Sequence, residues 1–592
     1  MRRSDLAVAG SLVGTIVVAL IVALGVAAGG LAGCAPRWKQ TPYDRLFQHE
    51  PAVVLERAPR RRSPSDWWDR GFQLVVRPLA RAISPGHWLA DAGGGRPARD
   101  VNDLGQVADS EWYENRISRY PLTVDHAFRG ATRSEGPASG PLFVTSGKLE
   151  GASPGFVVRD GAGITWFLKL DPPASPQLST SAEVIASRLL WLAGYHVPEI
   201  HVFDLEAKRF RLDPRAKTRD RLGRSIPLSQ RALDRLIGPL NTDAAGRVRV
   251  LVSRKPDGIV IGPFDYRGVN HEDANDHIEH EHRRSLRALW VFSAWLNNTD
   301  TRNANSLDVF RPVTPAGGGV IRHYLLDFGN ALGATGIAEK IASDGSEYLL
   351  DWNALFSNLA LLGSRYPRWE RLRRSPSRSV GLFEAAVFAP ERWRPRYPNP
   401  AFQECTRSDT LWAASVLARI QPAHIRAAVA AGRYHEEGSA TSVIETLLER
   451  RRKLLAYALA GAVEVDQPRI RGSILVLDDL RALGGLSSGG PLQYEVRWNR
   501  TRRTDRVLAR GVITSTAPAT PTTLDLGERD PVRARVLGEL QIDLAGALAA
   551  AHREEGLAAD PFITVALSRR GTRAAIHLRV VRGQLLPVAI VR

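Results

Sequence analysis

Hydrophobic positions change their period several times along this chain. They run almost unbroken from Leu6 to Ala32, behind Arg2 and Arg3, then scatter without pattern to about residue 140. In that scattered stretch, 57–65 and 91–99 read as linkers. The aromatics Trp67, Trp68, Trp88, Trp112 and Tyr113 read as pins holding a wrapping segment to a core. From 141 the pattern turns regular. Leu142-Phe143-Val144, Phe156-Val157-Val158 and Ile164 to Leu170 are short apolar runs with glycine turns between them, which predicts three strands. Ser179 to Glu183 opens a helix with Val184, Ile185, Leu189, Leu190 and Leu192 on its buried face, and Gly194 stops it.

Val197 to Phe203 predicts a returning strand, and 206–247 a charged insertion with one short helix. Val248 to Val252 and Ile259 to Ile261 predict further strands. The stretch from His271 to His282 holds histidines at 271, 277, 280 and 282. A solvated loop is the reading favoured over a metal site. The helix Arg283 to Leu296 follows, with a core-type face, then a polar loop to Ser306, and later a buried strand at Tyr324-Leu325-Leu326. From about 350 to 463 the pattern is helical: Thr410 to Ile420, capped by Ser408 or Asp409, then Pro422 to Ala431 and Ser442 to Leu459. Beyond Pro468 short alternating runs predict strands at Ser473–Leu477, Gln493–Trp498, Arg506–Thr514, Phe562–Leu567 and Ala574–Val581, a β-domain of sandwich type. The fold class is therefore α+β.

Composition changes the picture in three places. An apolar fraction of 44% in 592 residues excludes wholesale disorder. The net charge of +18 is almost wholly arginine, since only eight of the 80 basic residues are lysines. The basic runs at 57–62 and 500–506 lack interleaved aromatics or any nucleic-acid motif, so no nucleic-acid partner is expected. Two cysteines exclude a disulfide scaffold, and Cys405 reads as an inert thiol.

Three polar groups stand out. Lys169 ends an apolar strand and Glu183 lies early in the next helix. Asn298, Asp300, Asn305 and Ser306 sit in one loop. Asp327-Phe328-Gly329 closes the buried strand that follows. Paired carboxylates with a carboxamide supply the hard oxygen ligands that magnesium takes, and a carboxylate can accept the proton of a phosphoryl acceptor.

The loop resembles the catalytic loop of HipA-type bacterial kinases, Asn-x-Asp-x-His-x-x-Asn-Ser, with Arg302 where that family has histidine. Asp327-Phe328-Gly329 is similar to the metal-binding motif of protein kinases and lipid kinases. The resemblance spans 141–463 and implies a bilobal protein-kinase-like core that uses ATP and Mg2+. By position, Lys169 would hold the α/β-phosphates and Glu183 would orient it. Asp300 would be the catalytic base, and Asn305 and Asp327 the magnesium ligands. No Gly-x-Gly-x-x-Gly loop is present; Gly147, Gly151 and Gly155, four apart in a strand–turn–strand, stand in its place over the phosphates.

Leu31-Ala32-Gly33-Cys34 resembles the bacterial lipobox, which implies removal of the leader and a lipid anchor on Cys34. With Ala35 next, that implies the outer membrane, facing the periplasm. An uncleaved transmembrane helix is the alternative; both readings put residue 35 onward outside the cytoplasm. The expected layout is a leader to 34, an irregular extension over 35–140, an N-lobe over 141–262, a C-lobe over 263–465 and the β-rich domain over 470–592. The expected partners are a nucleotide, the membrane through its lipid anchor, and an envelope protein. ATP is scarce outside the cytoplasm, so two alternatives to an exported kinase stay open: a pseudokinase binding module and an AMP transferase.

Overall fold

The computed structural model describes residues 50–592 apart from 64–69, 86–93, 148–154, 220–223, 239–242, 361–366, 373–376, 488, 500–504, 514–538, 550–561 and 582–583. The leader with Cys34, the glycine at 151 and the tryptophans at 67, 68 and 88 lie outside the described residues. Among the described residues no helix is long and apolar enough to cross a membrane.

Alternation builds the first sheet. β1 (Leu142–Gly147), β2 (Gly155–Arg159) and β3 (Thr165–Lys169) form an antiparallel meander, with Val144 opposite Val158 and Val158 opposite Trp166. Leu142, Val144, Phe156, Val158, Trp166 and Leu168 all bury on one face, as a period of two requires. β4 (Ile200–Glu206), β5 (Phe210–Arg219), β6 (Ser225–Pro227) and β7 (Arg247–Arg254) complete seven strands in the order β4-β7-β3-β2-β1-β5-β6. The charged insertion expected at 206–247 holds its one short helix, Gln230–Ile237, and in addition the strands β5 and β6. β5 pairs parallel to β1, Leu142 against Phe210. Asp213-Pro214-Arg215 interrupts its apolar alternation, which hides the strand from a period-two search.

The helix Leu178–Leu192 crosses from β3 to β4 and is buried along its length except at Trp191. It shares one apolar core with the helices Arg284–Leu296, Arg407–Arg419, Pro422–Ala430 and Glu437–Leu459. Residues of the expected N-lobe helix therefore belong to the same core as the helical half. β8 (Ile259–Gly262), β9 (Ser306–Pro312) and β10 (Gly319–Leu325) form a small antiparallel sheet in the order β10-β9-β8. Its register sets Leu325 opposite Ser306.

The C-terminal part has two sheets. β11 (Val465–Arg471), β12 (Ile474–Asp479) and β15 (Glu539–Asp543) make one. β13 (Leu492–Asn499), β14 (Asp505–Ile513), β16 (Phe562–Arg569), β17 (Thr572–Val581) and β18 (Gln584–Val591) make the other. Leu475, Leu477 and Ile542 from the first pack in one core with Val496, Ile563 and Ile576 from the second, as in a sandwich. β11 begins before the expected boundary, and β18 was not expected; Pro468 and Pro587 break their patterns.

Within the N-terminal extension, Trp112 and Tyr113 pin the chain to the core, as expected. Leu55 forms a β-bridge with Gly319. Trp112 stacks on His323 at 3.5 Å between ring centroids. The Tyr113 hydroxyl donates to the Ala193 carbonyl at 2.6 Å. Gly194 has φ +110°, and a Cβ there would meet the Tyr113 ring at 2.4 Å, so only glycine fits this junction.

The helix Arg407–Arg419 is capped by Thr406 and Asp409 in a capping box, not by Ser408. Asp409 is wholly buried and accepts from Arg284 Nε at 2.9 Å and from Thr406 N at 2.9 Å, with Arg287 Nη1 at 3.5 Å. Asp409→Ala should lower the unfolding free energy by about 3–5 kcal/mol, because it strands two buried guanidinium groups. Urea denaturation followed by circular dichroism measures it.

Candidate active site

Leu168 in β3 and Leu170 just after it are buried, so Lys169 between them points to the opposite face. There it meets side chains from two distant elements. Its Nζ lies 2.8 and 2.9 Å from Glu183 Oε1 and Oε2 on the crossing helix. It lies 2.7 Å from Asp327 Oδ1 in the turn after β10. Burial lowers the pKa of Lys169, but the Asp327 and Glu183 carboxylates reverse that and hold it above the ordinary lysine value. Asp327 has φ +52°, a left-handed backbone that aspartate tolerates better than most residues. Phe328 behind it is fully buried and fixes the turn in the core, while Gly329 lies against both carboxylates.

The Asp300 loop is tied to this turn through Asn305. Leu326 N donates to the Asn305 carbonyl at 2.9 Å, and Asn305 Nδ2 donates to the Asp300 carbonyl at 2.7 Å. Asp300 itself is gripped by Arg302, whose Nε donates to Oδ1 at 2.7 Å and whose Nη2 donates to Oδ2 at 3.3 Å. The Arg302 guanidinium also lies over the Tyr397 ring, 4.9 Å from its centroid. Arginine in place of the expected histidine thus forms a two-point ion pair with the candidate base.

A second lysine, unremarked in the sequence, completes the network. Lys340 is buried, and its Nζ donates to the carbonyls of Asn330 and, at 2.7 Å, Ala334. The Asn330 carbonyl also accepts from Thr299 N at 3.4 Å, next to Asp300. Burial lowers the Lys340 pKa to about 7; Asp344 and Asp300 oppose that shift, and Arg396 and Arg450 add to it. The scarcity of lysine was the one sequence signal that could have marked it.

Gly147 pairs with Phe156 in the hairpin, and a Cβ there would meet Thr218 Oγ1 at 2.6 Å, so packing against β5 already accounts for glycine at this position. The hairpin connection, with the glycine at 151, lies outside the described residues. A cavity of about 710 Å³ reaches the Asp300 loop at Asn297, and none of Lys169, Glu183, Asp300, Asn305 and Asp327 lines it. Asn297, Asp344, Glu347, Tyr348, Glu384 and Trp393 are among its walls.

The histidine stretch is a solvated loop only in part, with His271 and His277 exposed. His280 and His282 are buried, and His280 Nε2 lies 2.7 Å from Asp276. His323 Nδ1 lies 2.7 Å from Asp308 nearby, with Trp112 packed against both imidazoles. His280 and His323 each have their own carboxylate, His282 Nδ1 lies 2.6 Å from Arg287 Nη2, and no metal-type cluster occurs among the described residues. Cys405 is a free thiol whose pKa burial pushes up, as expected of an inert group.

No protein-family model and no curated protein matches the chain. Among solved structures it is similar to the Helicobacter pylori proinflammatory kinase CtkA, at 12% identity and a TM-score of 0.28, over 54% of this chain and 97% of that one. It is also similar to the Golgi casein kinase, at 11% identity and a TM-score of 0.21, over 67% of this chain and 94% of that one. At those scores neither superposition decides anything by itself.

The Lys340 shift has a definite sign. Its folded pKa of about 7 lies below the ordinary 10.5, so between those values the unfolded chain binds the extra proton. Stability contributed through this group therefore rises with pH across that window. Relative to Lys340→Met, the native protein should gain unfolding free energy steadily from pH 7 to pH 10. Urea titrations of both proteins across that range check the slope.

Proposed function

We propose that this chain is an ATP- and magnesium-dependent phosphotransferase of atypical kinase type, exported and held at a membrane by its N-terminus. The observation that carries the reading is the position of Lys169 Nζ, within 2.9 Å of both Glu183 and Asp327. A strand lysine oriented by a helix carboxylate is what binding of a triphosphate requires, and a second carboxylate at hand suits a metal.

The donor set fits magnesium. The Asp327 carboxylate is one-third exposed, and the Asn305 carboxamide donates its nitrogen to Asp300, which leaves its oxygen as a hard donor. Bound there, magnesium would neutralise charge on the triphosphate. Lys169 would hold phosphate oxygens while Glu183 keeps it from turning away. Asp300 would take the proton of the acceptor hydroxyl as the acceptor oxygen bonds to the γ-phosphorus and the bond to the ADP leaving oxygen breaks. For that step the Arg302 pair has to open, so that Arg302 turns toward the transferring phosphoryl and Asp300 toward the acceptor.

The same ion pair favours the second reading, a pseudokinase that binds nucleotide within an envelope assembly. Both oxygens of the candidate base are engaged by Arg302.

The full chain in detergent, given magnesium with γ-labelled or α-labelled ATP, separates the readings. Transfer of the γ label is expected, and transfer of the α label would mean AMP transfer. Asp300→Asn should cut the γ transfer by about 10²–10⁴-fold, the usual worth of a general base. Asp327→Ala should abolish it. A rate unchanged in Asp327→Ala refutes the site; nucleotide binding without any transfer leaves the pseudokinase.

A further inference from the structure

Among the described residues, a helical stretch near the N-terminus has its amphipathic pattern turned inside out. It runs through Phe72–Val76, a π-type turn, into the α-helix Arg77–Ala82. Its basic residues face the protein. Arg77 Nε donates to Gln403 Oε1 at 3.0 Å, and Arg81 Nη1 pairs with Glu404 at 3.0 Å. Its apolar residues face outward: Val75, Val76 and Leu79 are 40–55% exposed, and Ile83 at its end is 77% exposed. The spacing 75, 76, 79, 83 makes one continuous stripe.

A second helix, Trp352–Ala360, lies beside it, with Trp352 Nε1 donating to the Leu74 carbonyl at 3.1 Å. This helix also shows its apolar side. Leu355, Phe356 and Leu359 are 51–72% exposed, a stripe of its own at helical spacing. A water-facing helix places such residues inward, and two adjacent ones that both fail to do so mark a covered surface.

We infer that the outward stripes of Phe72–Ala82 and Trp352–Ala360 form a face that seats on a phospholipid bilayer. Three observations favour lipid as the occupant. The first is the apolar run from Leu6 to Ala32, which ties the chain to a membrane 40 residues before Phe72. The chain joins the body at Glu50, whose N donates to the Asp109 carbonyl, and at about 3.3 Å per extended residue the stretch between Ala32 and Glu50 still lets the face reach the same bilayer. The second is charge. The sequence after the second helix, from Pro367 to Arg378, has arginines at 368, 371, 373, 374 and 378 against Glu370 alone, and Arg70 precedes the first helix. Apolar stripes flanked by arginine are the composition of interfacial helices drawn to anionic headgroups. The third is the inward pairing of Arg77 and Arg81, which anchors the first helix to the body and leaves its apolar stripe free for acyl chains. The inference rests on the membrane attachment proposed above. It adds an orientation: the body lies on its tether's bilayer by this face instead of swinging free.

The test uses the full chain reconstituted in vesicles of phosphatidylethanolamine and phosphatidylglycerol in equal parts. Photoreactive benzoylphenylalanine replaces Leu79, Phe356 or, as a control on the exposed β14, Val512. Flotation of the unmodified chain is scored first, because loss of flotation overturns the attachment and this inference together. With flotation intact, irradiation should give phospholipid adducts from positions 79 and 356 and none from 512. Adducts linking two copies of the chain, or no lipid adduct at 79 and 356, would overturn the bilayer face while the attachment stands.

Discussion

One half-buried positive charge organises the candidate site. Lys169 sits where a strand, a crossing helix and a distant turn converge, and burial alone would lower its pKa. Glu183 and Asp327 keep it charged, and in return it fixes both. The coupling is mutual: removal of the lysine would leave two carboxylates facing each other in a partly buried site, and removal of either acid would leave a buried ammonium short of a partner. The left-handed backbone at Asp327 lies between the end of the β9–β10 ladder and the buried Phe328, which hold the turn on both sides.

On the proposed function, the two halves of the site are in different states of readiness. On the phosphate side, lysine and carboxylates already stand at hydrogen-bond distance. On the acceptor side, Asp300 is closed on Arg302, and the loop is stitched to the Asp327 turn through Asn305 and the Asn330 carbonyl, with Lys340 beneath. Binding of an anion near Arg302 would compete directly with Asp300 for the guanidinium. The phosphoryl group itself would thus free the base, which couples occupancy of the phosphate side to readiness of the acceptor side.

Much of this was legible in the residues. Lys169 showed as a rare lysine at a strand end, Glu183 as an acid in the next helix, and Asp327 as a carboxylate closing a buried strand; the structure brings these three together. The α+β architecture, its helical half and its β-rich C-terminal part also followed from periodicity. What stayed hidden has a common cause, namely side chains whose partners lie far away in sequence. β5 is held by a parallel neighbour nearly seventy positions distant and by no alternation of its own. His280 and His323 bury because Asp276, Asp308 and Trp112 receive them. Arg302 reads as a loop residue until Asp300 and Tyr397 are seen around it. The cavity that reaches the Asp300 loop at Asn297 is walled by segments that no motif links.

The central claim is that Lys169, Glu183 and Asp327 form a magnesium–triphosphate site. Calorimetric titration of the full chain with a non-hydrolysable ATP analogue tests it most directly, with and without magnesium. Saturable binding that needs magnesium and disappears in Lys169→Met, while the variant's circular dichroism spectrum stays native, is the predicted result. Equal affinity in Lys169→Met, or binding indifferent to magnesium, would contradict the account.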